Sequence, residues 1–317
     1  MSITAENAHI DANLSNVAMG FSPDIGLIGD VLAPVVPVPK QSDYMPIWNK
    51  EDLYRRHVGR RAPATEAQVV TFGVSSVRFH CDNYAFKGRI PDEVRANADL
   101  PRIFEGETKR VTTQLLLAKE TRIAALLASA NVYSQTAVGS AWGTDACDAL
   151  TDVMNVIDGH QDAVGIRPNR ILFGQAAWNT FRKSLQVREA VFPPGKGVGI
   201  ATRESVREVL EMESLLVGGG YANLAPEGIS TMSLVNIFGP NVLVWYAPTA
   251  PSQDVPSWMY TFRWNVAELP RPVMVHAHDD KIHAQEIEIG EYTDEKVTDS
   301  SLAYLMIGVN SSTAGAP

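Results

Sequence analysis

Hydrophobic positions recur along residues 105–130, EGETKRVTTQLLLAKETRIAALLASA, at the three-and-four spacing of an α-helix. Val111, Leu115 and Ala118 fall on one helical row, and Leu116, Ile123, Leu127 and Ala130 on the next. Together they form a broad apolar stripe, with Lys109, Lys119, Glu120 and Arg122 assigned to solvent. No proline interrupts the chain between Pro101 and Pro168. At ~1.5 Å per residue, about 26 helical residues reach roughly 40 Å, a length that suits a spine with other parts hung on each side.

Upstream the pattern changes twice. Residues 1–40 are rich in Asn, Ala and Ser and end in a proline series at Pro34, Pro37 and Pro39, so APVVPVPK is expected to be extended and absent from a sheet centre. An apolar extended arm has to lie on its own domain or on a neighbour. Residues 41–90 then read as a long two-stranded excursion. Tyr44 to Trp48 is aromatic and β-prone, and Gln68 to Phe79 alternates, with Val70, Phe72 and Val74 on one side. Between them LYRRHVGRRAPATEAQ carries Arg55, Arg56, His57, Arg60 and Arg61, a basic tip on a hairpin that needs partners to be ordered.

Downstream, strands and helices alternate, which predicts an α+β module with a central sheet. Thr144–Asp145 is expected to cap a helix whose core face is Leu150, Val153, Ile157 and Val164, and Thr202 another with Val206, Val209 and Leu210. A short strand at Ile171 to Phe173 leads to a helix turning Trp178, Phe181 and Leu185 inward. The last third is mostly β. Tyr260, Phe262, Trp264 and Val266 alternate as a half-buried strand, and Val273–Ala277 with Lys281–Ile289 reads as a hairpin turning at Asp279–Asp280. Leu302 to Val309 is a final strand.

The totals narrow the function. A chain of 317 residues with 45% hydrophobic and 20% charged content buries a large core. A net charge of −9 argues against tight sequence-independent nucleic-acid binding, so the arginines of the tip are expected to face solvent or a partner's acidic groups. Cys81 and Cys147 read as buried thiols. There is no signal-peptide pattern and no long apolar run, so no membrane is expected.

Enzymatic chemistry finds weak footholds. His276, His278, Asp279, Asp280 and His283 are the strongest metal candidate, yet no second ligand cluster has suitable spacing, and a polar hairpin face explains them as well. FPPGKGVG lacks the spacing of a phosphate-binding loop, and no Gly-x-Ser-x-Gly elbow is present. Glu204, Glu208, Glu211 and Glu213 read as a solvated helix face. No cofactor is expected.

The order of parts is more telling than any motif. VLAPVVPVPKQSDYMPIWNKEDLYRRHVGRRAPA in arm and hairpin, IPDEVRANAD before the spine and LLLAKETRIAALL within it are followed by IRPNRILFGQAAWNTF, LLVGGGYAN, NIFGPNVLVWYAP and MYTFRWNV. In that order, from about Asp11 to Val309, the chain resembles the major capsid proteins of tailed phages, the Hong Kong 97 type. The resemblance implies an α+β capsid fold with an N-terminal arm (1–40) and an extended β-hairpin loop (41–90). A peripheral domain follows (91–166, spine helix 105–130), then an axial domain (167–248) and a return to the peripheral domain (249–317). It implies a structural, non-enzymatic coat protein that self-assembles into hexamers and pentamers of an icosahedral head, built in the host cytoplasm and resident in the virion. Its partners would be further copies of itself, separate scaffold, portal and decoration proteins, and packaged double-stranded DNA contacted non-specifically. Arg55, Arg56, Arg60 and Arg61 at the loop tip would meet acidic groups of an adjacent subunit. Two rival readings are an encapsulin-like nanocompartment shell and a metal-dependent hydrolase using His276, His278 and His283.

Overall fold

The computed structural model describes residues 8–23, 25–48, 54–61, 63–71, 73–97, 100–129, 134–137, 142, 147–192, 199–226, 228, 231–252, 255–265, 269–279, 281, 283–309. The glycine-rich stretch 193–198, the residues Thr144 and Asp145 and the tail 310–317 therefore lie outside the described residues.

The strands are β1 (Ala8–Ile10), β2 (Val35–Val38), β3 (Ser42–Trp48), β4 (Val74–His80), β5 (Asp82–Pro91), β6 (Ser134–Ala137), β7 (Arg170–Gly174) and β8 (Ser214–Gly218). They continue with β9 (Tyr221–Asn223), β10 (Leu234–Asn236), β11 (Val242–Trp245), β12 (Met259–Trp264), β13 (Val273–His276), β14 (Ala284–Val297) and β15 (Ala303–Ile307). One sheet runs β1-β13-β14-β12-β2, with β5 also on β14; a second runs β6-β15-β11-β7-β8. The small pairs β3–β4 and β9–β10 stand apart.

The spine is a 29-residue helix, Leu100–Ala128, starting five residues earlier than the periodicity predicts. Pro101 does not stop it, because a proline in the first turn removes an N–H that has no intrahelical partner. Its buried row is spaced by four, Val111, Leu115, Lys119, Ile123 and Leu127. Val111 and Leu115 pack with Ile90, Ile287 and Ile289. Ile123 and Leu127 pack instead with Trp245, Trp258 and Met259. The helix thus lies along two hydrophobic clusters, and residues 119–122 sit at the seam between them.

The second sheet is apolar on both faces. Ile171, Phe173, Val242 and Val244 turn toward a cluster with the helices Ala149–Val164 and Gln175–Phe181, while Leu172, Leu243 and Trp245 turn toward the spine. The alternation within β7 and β11 therefore separates two cores, and each strand reads as a continuous apolar run. Helix Ala149–Val164 is capped by Asp148, whose side chain accepts the Thr151 N–H, and ends at left-handed Gly165. Thr202 does cap the helix Arg203–Val209, through a reciprocal box with Ser205. Trp178 and Phe181 are buried as expected, but Leu185 is exposed.

Two strand readings change. The strand expected from Gln68 starts at Val74, and β12 is buried on both faces from Met259 to Phe262, not half-buried. Tyr260 and Phe262 are covered by the base of the hairpin and by Val36 and Val38, and Met259 by the spine-side core. The proline-rich arm supplies that cover: β2 runs parallel to β12 at the sheet edge, where its Pro37 is tolerated.

Candidate assembly interface

The extended hairpin is rooted firmly. β3 and β4 pair antiparallel from Ser42↔His80 to Trp48↔Val74. At the root Met45, Phe79 and Cys81 are buried against Tyr260 and Phe262, with the Phe79 and Phe262 rings stacked at 4.6 Å. The His80 N–H donates to Asp294 Oδ2 at 2.9 Å. Burial pushes the Cys81 thiol up to about 11, so it is a packing group and not a nucleophile.

Beyond the paired strands the described loop residues change character. Arg55, Arg56, Arg60 and Arg61 are all exposed, as are Val58, Val69 and Val70. Arg61 Nε donates to the Thr65 carbonyl, which curls the tip on itself. Tyr54 Oη donates to the Gly165 carbonyl at 3.2 Å, touching the end of the helix that Asp148 caps. The four arginines thus lie together on one excursion, among apolar side chains left uncovered within the single chain. Residues 49–53, 62 and 72 of this excursion, Phe72 included, lie outside the described residues.

A second uncovered region adjoins the spine. Ala124, Leu127, Ala222, Leu224, Ile237 and Phe238 line an apolar groove of about 270 Å³ between the helix and the β9–β10 pair. Tyr221, Met232 and Leu234 on and beside that pair are exposed.

The seam of the spine carries a charge network that the sequence reading assigned to solvent. Lys119 is 3% exposed and Glu120 2%. Lys119 Nζ donates to Asp30, and Glu120 accepts the N–H groups of Ile28 at 2.8 Å and Gly29 at 2.6 Å. Arg122 makes a two-pronged bond to Glu295, both contacts 2.9 Å, and its guanidinium lies 3.6 Å from the Tyr84 ring centre. Arg271 bonds Glu291 at 3.1 Å and reaches Asp30 at 3.7 Å. Burial pushes the Glu120 carboxyl up to about 7, against the opposing pull of the two amides. Asp30 moves the other way: burial raises it, but Lys119 and then Arg271 and Arg263 hold it below the usual carboxylate range. Sequence did hold a signal for this. Lys119 stands four residues from both Leu115 and Ile123, on the core row, and Ala118 does not.

The histidine candidates separate. His276 Nε2 lies 2.8 Å from Glu288 and His278 Nε2 2.8 Å from Asp92, while His283 occupies a turn at φ 45°. Among the described residues no three His, Cys, Asp or Glu side chains gather as a metal site requires, and no described helix is long and apolar enough to cross a membrane.

No family model matches the chain. It is 25% identical to the major capsid protein of Burkholderia phage BcepMu, over 95% of this chain and 97% of that one. Among solved structures it is similar to a phage-related protein from Bordetella bronchiseptica RB50, with a TM-score of 0.75 and 21% identity over 95% of this chain and 97% of that one. The capsid of cyanophage P-SCSP1u gives a TM-score of 0.56 at 13% identity, covering 87% of this chain and 86% of that one. The fold is the mixed α/β fold of phage capsid proteins.

Proposed function

We infer that this chain, similar over nearly its whole length to a phage major capsid protein, is the coat subunit of a tailed-phage head. Its role is structural. The observation that carries the reading is the end-to-end match, 95% of this chain against 97% of the capsid protein of BcepMu, which leaves little room for a different architecture. The finer reading is a Hong Kong 97-type shell of hexamers and pentamers around double-stranded DNA. In it residues 1–40 are the arm, 41–90 the extended loop, 91–166 and 249–317 the peripheral domain and 167–248 the axial domain.

The physical support is the contrast within the hairpin. Its root is buried in the subunit, and its tip presents four arginines and several valines to the outside. A single chain gains little by holding such a segment out, and many copies that bury one another gain a great deal. Arg55, Arg56, Arg60 and Arg61 meet acidic groups of the adjacent subunit and steer register more than they add affinity. Heterologous contacts of this kind close into rings under rotational symmetry.

The test is expression of the chain alone, followed by light scattering and negative-stain microscopy. Closed shells, rings of five or six, or sheets are expected, with scaffold added if none form. A monomer or dimer that stays so with every candidate scaffold overturns the reading. Shells that co-purify with a cargo protein instead of a scaffold or DNA favour a nanocompartment over a phage head.

A further inference from the structure

The extended hairpin is held to its own subunit at a second place, beyond its root. The β3–β4 pairing ends at Trp48 and Val74, yet Tyr54 returns to the body of the subunit, its Oη donating to the Gly165 carbonyl at 3.2 Å across 111 residues of sequence. The seat depends on glycine for two reasons. Gly165 ends the helix Ala149–Val164 at φ 78°, a left-handed conformation that side chains resist. A Cβ there would also stand 3.0 Å from Tyr54 Cζ and 3.3 Å from its Cε2 and Oη, so the phenol lies where a side chain would be. The acceptor belongs to the set of carbonyls that a helix leaves without intrahelical partners at its C-terminus. The dipole there also favours positive charge, and Arg55 and Arg56 follow Tyr54 directly.

We propose that Tyr54 is a positioning residue for assembly: it braces the loop against its own subunit and so fixes where the basic tip is presented to the next copy of the chain. The proposal rests on the coat reading and adds to it the device that aims the tip. With Tyr54 seated, Arg55 and Arg56 adjoin a fixed point. Arg60 and Arg61 follow within seven residues, and the bond from Arg61 Nε to the Thr65 carbonyl turns the chain back there. All four arginines are exposed in this arrangement, so the contact displays the charges and does not hide them.

The brace acts through reach and entropy. Tyr54 is the sixth residue beyond Trp48, so at most roughly 20 Å of chain separates the last paired residue from the seat. A tip tied at both points samples far less space than one tied only at the root. Part of the ordering that association requires is then already done in the free subunit, which lowers the concentration at which copies join. Tyr54 itself is exposed and packs into no hydrophobic cluster, so its removal should leave the fold of the subunit intact.

Two readouts on the full-length chain test this, each on wild type, Tyr54→Phe and Tyr54→Ala. The first is the rate of trypsin cleavage after Arg60 and Arg61 in the unassembled subunit, far enough from position 54 to leave the protease's own contacts unaltered. Tyr54→Phe keeps the ring and loses the donor, and should be cut roughly threefold faster, with Tyr54→Ala faster still. The second is the threshold concentration for particles by light scattering, with scaffold wherever wild type needs it. It should rise roughly threefold or more in Tyr54→Ala while the thermal unfolding midpoint stays put. Unchanged cleavage with a raised threshold would make Tyr54 an interface residue and overturn the brace. Faster cleavage with an unchanged threshold would overturn its role in assembly, and a lowered midpoint would make the contact merely structural. Wild-type chain that never assembles overturns the coat reading and this role together, whereas wild-type particles with an indifferent variant overturn the role alone.

Discussion

The seam of the spine helix and the tip of the extended loop are both dense in charge, and they put it to opposite uses. At the seam three charges face partners supplied by the chain itself: Lys119 with Asp30, Arg122 with Glu295, Arg271 with Glu291. Lys119, Glu295, Arg271 and Glu291 are buried, so losing the partner of any of them leaves a buried charge stranded. At the tip Arg55, Arg56, Arg60 and Arg61 are exposed to solvent, where a charge is worth little to the fold. The burial of the charge is what differs. Inside the chain, charge specifies one way for arm, helix and sheet to meet; outside it, charge is available to specify a meeting between chains.

The sharpest way to break this comparison is Arg122→Ala. It strands Glu295, 8% exposed, and removes the stack on Tyr84, so urea unfolding should show a loss of about 3–5 kcal/mol. A loss under about 1 kcal/mol would show the seam to be as dispensable as a surface pair. Glu120→Ala comes next. It leaves the Ile28 and Gly29 amides unpaired in a buried place, a cost of about 1–3 kcal/mol that thermal unfolding should report together with a more mobile arm. Arg60→Glu with Arg61→Glu should change subunit stability by less than about 0.5 kcal/mol and yet lower the yield of closed particles in sedimentation. An undiminished yield would remove these residues from assembly. Smallest of all is the thiol at the loop root: Cys81 should resist alkylation at pH 8 in the native chain and react once unfolded, since burial holds it at about 11.

What was legible in the sequence follows the same division. The spine, the hairpin root, the Thr202 cap and the β13–β14 hairpin all came from local periodicity and turn chemistry, which act within a few residues. The exposed tip was legible because a run of arginines with no apolar rhythm has no interior to join. The seam was misread because its partners are remote: Asp30 is 89 residues from Lys119, and Glu295 is 173 from Arg122. Residue type argued for solvent while position argued for the core row, and position prevailed because a distant carboxylate was folded against it. β12 was misread for a related reason. Its second face is covered by Val36 and Val38 and by the hairpin root, from segments more than 180 residues earlier.

The ten-residue register between β5 and β14 has a mechanical consequence. The loop joins this sheet at two places, through Cys81 directly into Asp82 of β5 and through residues 39–41 into β2, so a pull on the hairpin along its length is divided between the β5–β14 and β2–β12 ladders. Load applied that way is shared along each ladder in shear, and the bonds must fail together. A load that peeled the strand sideways would instead meet them one at a time. The subunit is therefore stiff in the direction in which its longest projection can be tugged. Its compliance is left to the loop beyond Val74, whose described residues are mostly exposed and belong to no ladder.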